Sequence, residues 1–193
     1  MSMSTYVKGF RPPDEKRTPR RSRLYIDIDD TILARYLPTT FLEPRPAIVS
    51  QLRTLSRLFY CYWLTCWPWN QDRGADVKSL MRSFYAVDLL KDIQYMRWGA
   101  DHPDRKAGAV LDPAVPQDFW WLEDRLDREE LAALQQAGKA DRYVEVDSIG
   151  PWAFMDSCLE LFRRAGITEN DIKAVGGSLK IFQKESWLPS GIR

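Results

Sequence analysis

From residue 24 onward, apolar and polar positions fall into short blocks that switch between two periodicities. Leu24-Tyr25-Ile26-Asp27-Ile28-Asp29-Asp30-Thr31-Ile32-Leu33 starts as an apolar run and breaks into three acids and a threonine. Such a run predicts a buried parallel strand, with Asp27 and Asp29 where the chain leaves its carboxyl end. Ala34 to Pro44 reads as a proline-bounded connection. Pro46 then opens a helix whose face is Ile48, Leu52, Leu55 and Phe59, at steps of four, three and four. The aromatic run Leu58 to Leu64 predicts a second buried strand ending on Thr65. Val77 to Tyr85 predicts a helix and Ile93 to Trp98 a third strand, after which a loop rich in Gly, Pro and Asp leads to Lys106.

Asp118 to Leu122 predicts a fourth strand, terminated by Glu123-Asp124-Arg125. A helix from Arg128 to Ala137 stopped by Gly138, a fifth strand from Tyr143 to Val146, and an amphipathic helix from Trp152 to Ala165 closed by Gly166 complete the pattern. Alternation of strands and helices over short links predicts an α/β domain at residues 23–175, built on a single doubly wound, mostly parallel sheet. Residues 176–193 form a C-terminal tail without a recognisable pattern, and no internal repeat is present.

Residues 1–22 fit neither periodicity, and Pro12, Pro13 and Pro19 oppose regular structure there, so a flexible basic arm is expected. From Lys8 to Arg23, seven bases against two acids give +5 within a chain total of +1, leaving −4 for the remainder. Such an arm serves equally to meet a polyanion or to solubilise the chain. At 193 residues, 45% hydrophobic and 28% charged, the composition is that of an ordinary soluble protein of one domain. No apolar run approaches the roughly 20 residues of a membrane helix, so no membrane partner is expected and the cytoplasm is the expected location. Cys61, Cys66 and Cys158 are odd in number and form no Cys-x-x-Cys pair, which argues against a disulfide framework or a zinc site. His102 is the sole histidine, so His-rich metal sites are excluded.

The chemistry therefore rests on the acids. Carboxylates one residue apart at a strand end repel each other and lose hydration, and a hard divalent cation such as Mg²⁺ offsets that cost. A calcium loop starting at Asp27 would need glycine sixth and glutamate twelfth, where Ile32 and Pro38 stand. A solvated acidic turn accounts for Asp30 and Thr31 but not for an apolar run that stops on Asp27. A second acid pair, Glu123 and Asp124, at a second strand end would supply the remaining metal ligand.

Asp27-Ile28-Asp29-Asp30-Thr31 closely resembles the aspartate-nucleophile signature of the haloacid dehalogenase (HAD) superfamily. Thr65, Lys106 and the Glu123-Asp124 pair stand in that family's order, over residues 23 to 165. Trp63-Leu64-Thr65-Cys66-Trp67 resembles the Trp-x-Thr-x-Trp stretch of a HAD subgroup associated with RNA repair proteins, and Glu123-Asp124-Arg125 resembles the Asp-Asp-Arg of polynucleotide 3′-phosphatases. The resemblance implies a Rossmannoid fold and a Mg²⁺-dependent phosphatase acting through an aspartyl phosphate. Asp27 would be the nucleophile and Asp29 the general acid and base, while Thr65 and Lys106 would hold phosphoryl oxygens. The metal would be held by Asp27, the Asp29 carbonyl and the Glu123/Asp124 pair. Two departures stand out. Asp30 replaces a common glycine, and Glu123 replaces an aspartate, which leaves open which acid of the pair touches the ion. Arg105 competes with Lys106 for the lysine's role, and Thr65 could instead merely cap the segment after it.

Trp63, Trp120 and Trp121 belong to strand runs and are expected in the core. Asp30, Thr31, Cys66, Trp67 and Trp69 surround the expected substrate position; aromatic residues there could stack on a base or simply pack. Neither family insertion point has room for a full cap, so an open site with little or no cap is expected. That favours large phosphorylated substrates, nucleic acid ends or nucleotides above all. The alternative is a catalytically silent HAD-fold protein that binds a phosphorylated ligand or a protein partner.

Overall fold

The computed structural model describes residues 21–35, 42–45, 47–65, 93–96 and 105–186. Five parallel strands make the central sheet: β1 (Arg23–Ile26), β4 (Tyr60–Trp63), β5 (Gln94–Tyr95), β6 (Phe119–Glu123) and β7 (Tyr143–Glu145), in the order β5-β4-β1-β6-β7. β1 takes the centre, with a strand on each side and an apolar layer on each face.

Side chains alternate across the sheet with period two. Leu24, Ile26, Cys61, Trp63, Trp120, Leu122 and Val144 face one apolar layer, filled by α1 (Ile48–Leu58) and α4 (Ala153–Ala165) through Leu52, Leu55, Phe154, Cys158 and Leu161. Tyr25, Tyr62, Phe119 and Trp121 face the other, covered by α2 (Arg105–Val110) and α3 (Arg128–Gln136) through Ala107, Val110 and Leu134. Helices lie on both faces, so the sheet is doubly wound. Because successive strands run outward from β1 in one direction and then jump to its other side, the order reverses between β1 and β6. Their carboxyl ends flank the crevice where open α/β sheets place ligands.

The helix ends follow local chemistry. Asp127 and Glu130 form a reciprocal capping box at the start of α3, and Gly166, at φ 68°, closes α4 in the left-handed conformation. The expected helices at 128–137 and 152–165 match α3 and α4 within a residue at each end, and the core tryptophans Trp63, Trp120 and Trp121 are all buried.

Three regions depart from expectation. The connection at 34–44 contains a hairpin, in which β2 (Leu33–Arg35) pairs antiparallel with β3 (Leu42–Pro44). Three-residue strands are too short to leave a periodic signal, and Pro44 is tolerated because the ladder ends there. The third strand is two residues long where six were expected, although Arg97 and Trp98 lie outside the described residues. The part of the expected tail that the structure describes, residues 176–186, also packs onto the domain. After α5 (Glu169–Ala174), Phe182 is buried edge-on against Phe162, with ring centroids 4.9 Å apart, and Gln51 Nε2 donates to the Ile181 carbonyl at 3.0 Å. The helix expected at 77–85, the basic arm over residues 1–20, and Cys66 and His102 fall outside the described residues.

Gly177 is the tightest point of that docking. A Cβ there would sit 2.8 Å from Thr54 Cγ2 and 3.1 Å from the Ile172 carbonyl oxygen. Gly177→Ala should therefore destabilise the protein by about 1–3 kcal/mol in urea unfolding, because α1 or α5 must shift to admit one methyl. Unaltered stability would show that the segment does not pack as described.

Candidate active site

Strand register builds the site. Tyr25 and Trp121 are partners in the β1–β6 ladder, and both face the layer under α2. Two residues further on, Asp27 and Glu123 must project to that same face from neighbouring strands. The Asp27 N–H donates to the Leu122 carbonyl at 3.0 Å, which extends the ladder up to the acids.

Two carboxylates buried side by side need a cation, and α2 delivers one. Lys106 Nζ lies 3.0 Å from Asp27 Oδ1 and 2.6 and 2.8 Å from the two Glu123 oxygens. All three side chains are about 95% buried. Glu123 Oε2 also accepts from the Trp121 indole N–H at 3.0 Å. Lys106 is itself held, because its backbone N–H donates to Glu130 Oε1 at 3.2 Å. The capping-box glutamate of α3 thus fixes the first turn of α2. Thr65, at the end of β4 and buried, hydrogen-bonds the Asp27 carboxyl.

Asp124 stands next to this pair, half-buried, and carboxylate oxygens of Asp27, Glu123 and Asp124 all lie within 4.8 Å of one another. Three carboxylates around one ammonium carry a formal −2. The electrostatics follow. Burial pushes the Asp27 carboxyl above its usual range, with Lys106 opposing. Burial and then the Asp27 charge push Glu123 well up, against the pull of Lys106 and Trp121. Asp124 is pushed up to about 6 by burial and by the charges of Asp27 and Asp30. This donor set fits a divalent cation, which would cancel the residual charge.

The other expected residues divide into two groups. Asp29 and Asp30 are half-buried in the turn after β1, and Thr31 is wholly buried, which places its hydroxyl in the packing of the turn. Asp30 has φ 53°, the left-handed conformation that glycine adopts freely and that aspartate tolerates, so the exchange at this position is accommodated by the backbone. Cys66, Trp67 and Trp69 lie outside the described residues. Of the competitors at the lysine position, Lys106 reaches the acids, and the Arg105 side chain lies outside what the structure describes.

Three contributors were not foreseen. Glu130 had a visible signal, since Asp127 and Glu130 stand at capping-box spacing. Trp121 and Glu123, two apart on one strand, were legible as same-face neighbours. Arg45 left no signal. It is 2% exposed, and its guanidinium donates to the carbonyls of Asp30 (2.6 Å), Asp147 (2.9 Å) and Gly150.

Compared with known proteins, the chain matches no family model and no curated sequence. Among the described residues, no helix is long and apolar enough to cross a membrane.

The like-charge account gives a stability test. Folded Asp124 holds its proton to about pH 6, whereas unfolded it releases it near the ordinary value of 3.8, so ionisation between those values destabilises the wild type. In EDTA above pH 6, Asp124→Asn should be the more stable form by about 1 kcal/mol, a figure already reduced for solvent screening of a half-exposed carboxyl. The gain should shrink as pH falls through 6 and vanish below 3.8. A variant no more stable than wild type at pH 7.5 would contradict this account.

Proposed function

We propose that the protein is a Mg²⁺-dependent phosphomonoester hydrolase of the HAD type, with Asp27 as nucleophile. The observation that carries this reading is the buried Asp27–Lys106–Glu123 cluster with Asp124 beside it, at the point where the strand order reverses. A structural ion pair has no need of a third carboxylate or of a −2 remainder. A site that must meet a phosphate dianion needs both a fixed cation and a place for a divalent one.

The geometry favours separate roles for the second acid pair. Both Glu123 oxygens accept from Lys106, and one of them also accepts from Trp121, so Glu123 serves as the lysine's counter-ion. Asp124 is crowded by the charges of Asp27 and Asp30 and is only half-buried, which leaves it open to an added cation. Asp27 and Asp124 would therefore hold the ion, together with the Asp29 carbonyl that the family resemblance implies. Bound there, Mg²⁺ would supply charge neutralisation between the nucleophile and the phosphoryl group.

In the first step a carboxylate oxygen of Asp27 forms a bond to phosphorus while the ester P–O bond breaks, and Asp29 gives its proton to the departing oxygen. In the second, Asp29 takes a proton from water as the water oxygen attacks phosphorus, releasing inorganic phosphate and free Asp27. Thr65 and Lys106, both of which hydrogen-bond Asp27, would hold the remaining phosphoryl oxygens. Between β1 and α1 the connection is occupied by the β2–β3 hairpin, which leaves that insertion point without a covering domain. Together with the +5 arm, this favours a phosphate at the end of a large polyanion, a nucleic acid end in particular.

The test is turnover of p-nitrophenyl phosphate and of a 3′-phosphorylated oligonucleotide, with Mg²⁺ and with EDTA. Asp27→Asn should abolish turnover of both, by a factor of about 10³ or more. Asp124→Ala should lose Mg²⁺ affinity in calorimetry, whereas Glu123→Gln should keep it within a few fold and lose stability instead. Turnover that ignores both EDTA and Asp27→Asn would defeat the mechanism. A failure to hydrolyse any phosphomonoester, with Mg²⁺ binding intact, would favour the silent binding protein.

A further inference from the structure

We infer that Arg45 is a positioning residue for Asp29, fixing the general acid by gripping the turn that carries it. This rests on the proposed phosphatase reading. The turn after β1 is closed on itself, since the N–H groups of Ile32 and Leu33 both donate to the Ile28 carbonyl at 3.1 Å. Asp29 lies inside that turn. Arg45 holds it at two further points: its backbone N–H donates to the Ile32 carbonyl at 3.1 Å, and its guanidinium Nη2 donates to the Asp30 carbonyl at 2.6 Å. Asp30 is left-handed there, a conformation that costs a non-glycine residue about 1 kcal/mol and that the neighbouring structure must impose.

The same guanidinium is anchored to a second loop, through the Nη2 that meets Asp30 and through Nη1. It donates to the carbonyls of Asp147 and Gly150, in the loop between β7 and α4, more than 100 residues away in the chain. That loop is itself tied down, for Ala153 N–H donates to the Gly150 carbonyl at 3.2 Å and Ser157 Oγ to the Glu145 carbonyl at 2.8 Å. Arg45 therefore braces the acid-bearing turn against a rigid neighbour. Burying a guanidinium costs several kcal/mol before its hydrogen bonds form, so a merely solubilising arginine would not lie here at 2% exposure. A lysine could not replace it. One ammonium at the end of a flexible stem has no fixed second nitrogen to hold the Gly150 carbonyl while the first meets Asp30 and Asp147.

A misplaced general acid has a distinctive kinetic signature. An alkoxide leaving group needs the proton that Asp29 gives; p-nitrophenolate, already a stable anion, needs it little. The experiment compares kcat/KM of wild type, Arg45→Lys and Asp29→Asn on a 3′-phosphorylated oligonucleotide and on p-nitrophenyl phosphate, both with saturating Mg²⁺. Arg45→Lys should lose about tenfold more on the oligonucleotide than on the aryl ester, in the same direction as Asp29→Asn. The ratio of the two kcat/KM values does not depend on how much of a preparation is folded. Should Arg45→Lys yield little protein, Arg45→Met removes charge and donors together, leaves no unpaired buried cation, and should give the same ratio. Equal losses on both substrates would overturn the positioning role and leave Arg45 a structural brace. An inactive wild type would overturn the phosphatase reading and this inference with it.

Discussion

The ammonium of Lys106 is the point on which the centre of the molecule depends. Asp27 comes from the middle strand, Glu123 from the strand beside it, and neither carboxylate can be buried at that position alone. An unpaired ion in such surroundings costs several kcal/mol, and breaking a buried pair by removing one partner costs about 3–5 kcal/mol. The seating of α2 over Trp121 and Tyr25 and the burial of these two acids therefore depend on each other. Glu130 extends the dependence to α3, because the residue that caps that helix also holds the Lys106 backbone. The interior is thus organised by a polar cluster that its apolar layers surround.

Why that cluster was only partly legible in the sequence is a matter of which partners write a pattern. Asp27, Asp29, Glu123 and Asp124 were visible because each interrupts an apolar run, and an acid at the end of a buried strand is conspicuous. Thr65 was visible by its place after such a run. Lys106 looked like any other lysine and stood out through family order alone; its role depends on α2 crossing over the sheet, which no local pattern encodes. Arg45 was invisible for a stronger reason. Its acceptors are main-chain carbonyls, which every residue possesses, so nothing in the identities of Asp30, Asp147 or Gly150 announces an arginine partner. The fold itself was read well where period and punctuation agreed, as at α3 and α4 with Gly138 and Gly166. It was read poorly where strands shrink to two or three residues, as in β2, β3 and β5.

The left-handed turn residues show how local cost and global order are exchanged. Asp30 and Ala47 both take positive φ without being glycine. Asp30 is held by the guanidinium of Arg45. Ala47 precedes α1 and supplies the carbonyl that accepts from Ser50 and Gln51, so the helix starts on a strained residue without a side-chain cap. Ala47 would not be predicted there from propensity, whereas aspartate tolerates the conformation, and each sits on the path joining β1 to α1. Strain on that path is paid for elsewhere, by the burial of Leu52 and Leu55 and by the anchoring of Arg45. The result is a turn whose geometry is set by its surroundings more than by its own sequence.

Charge orders the events that the proposed chemistry requires. With Lys106 in place, Asp27, Glu123 and Asp124 carry a formal −2 at the crevice, and Asp30 adds to it. A phosphate dianion approaching such a site would be repelled, whatever the basic arm does at longer range, because screening leaves the arm's field weak beyond about 10 Å while the acids act at contact. On the phosphatase reading, cation binding must therefore precede or accompany substrate binding. Asp124 is the natural sensor of that order, since it is the acid least supplied with positive charge and most accessible from solvent. Glu123 cannot take its place without releasing Lys106, and releasing Lys106 would unbalance Asp27. On that reading, the burial of Glu123 separates a counter-ion acid from a ligand acid, since both Glu123 oxygens are taken by the ammonium while Asp124 is only half-buried.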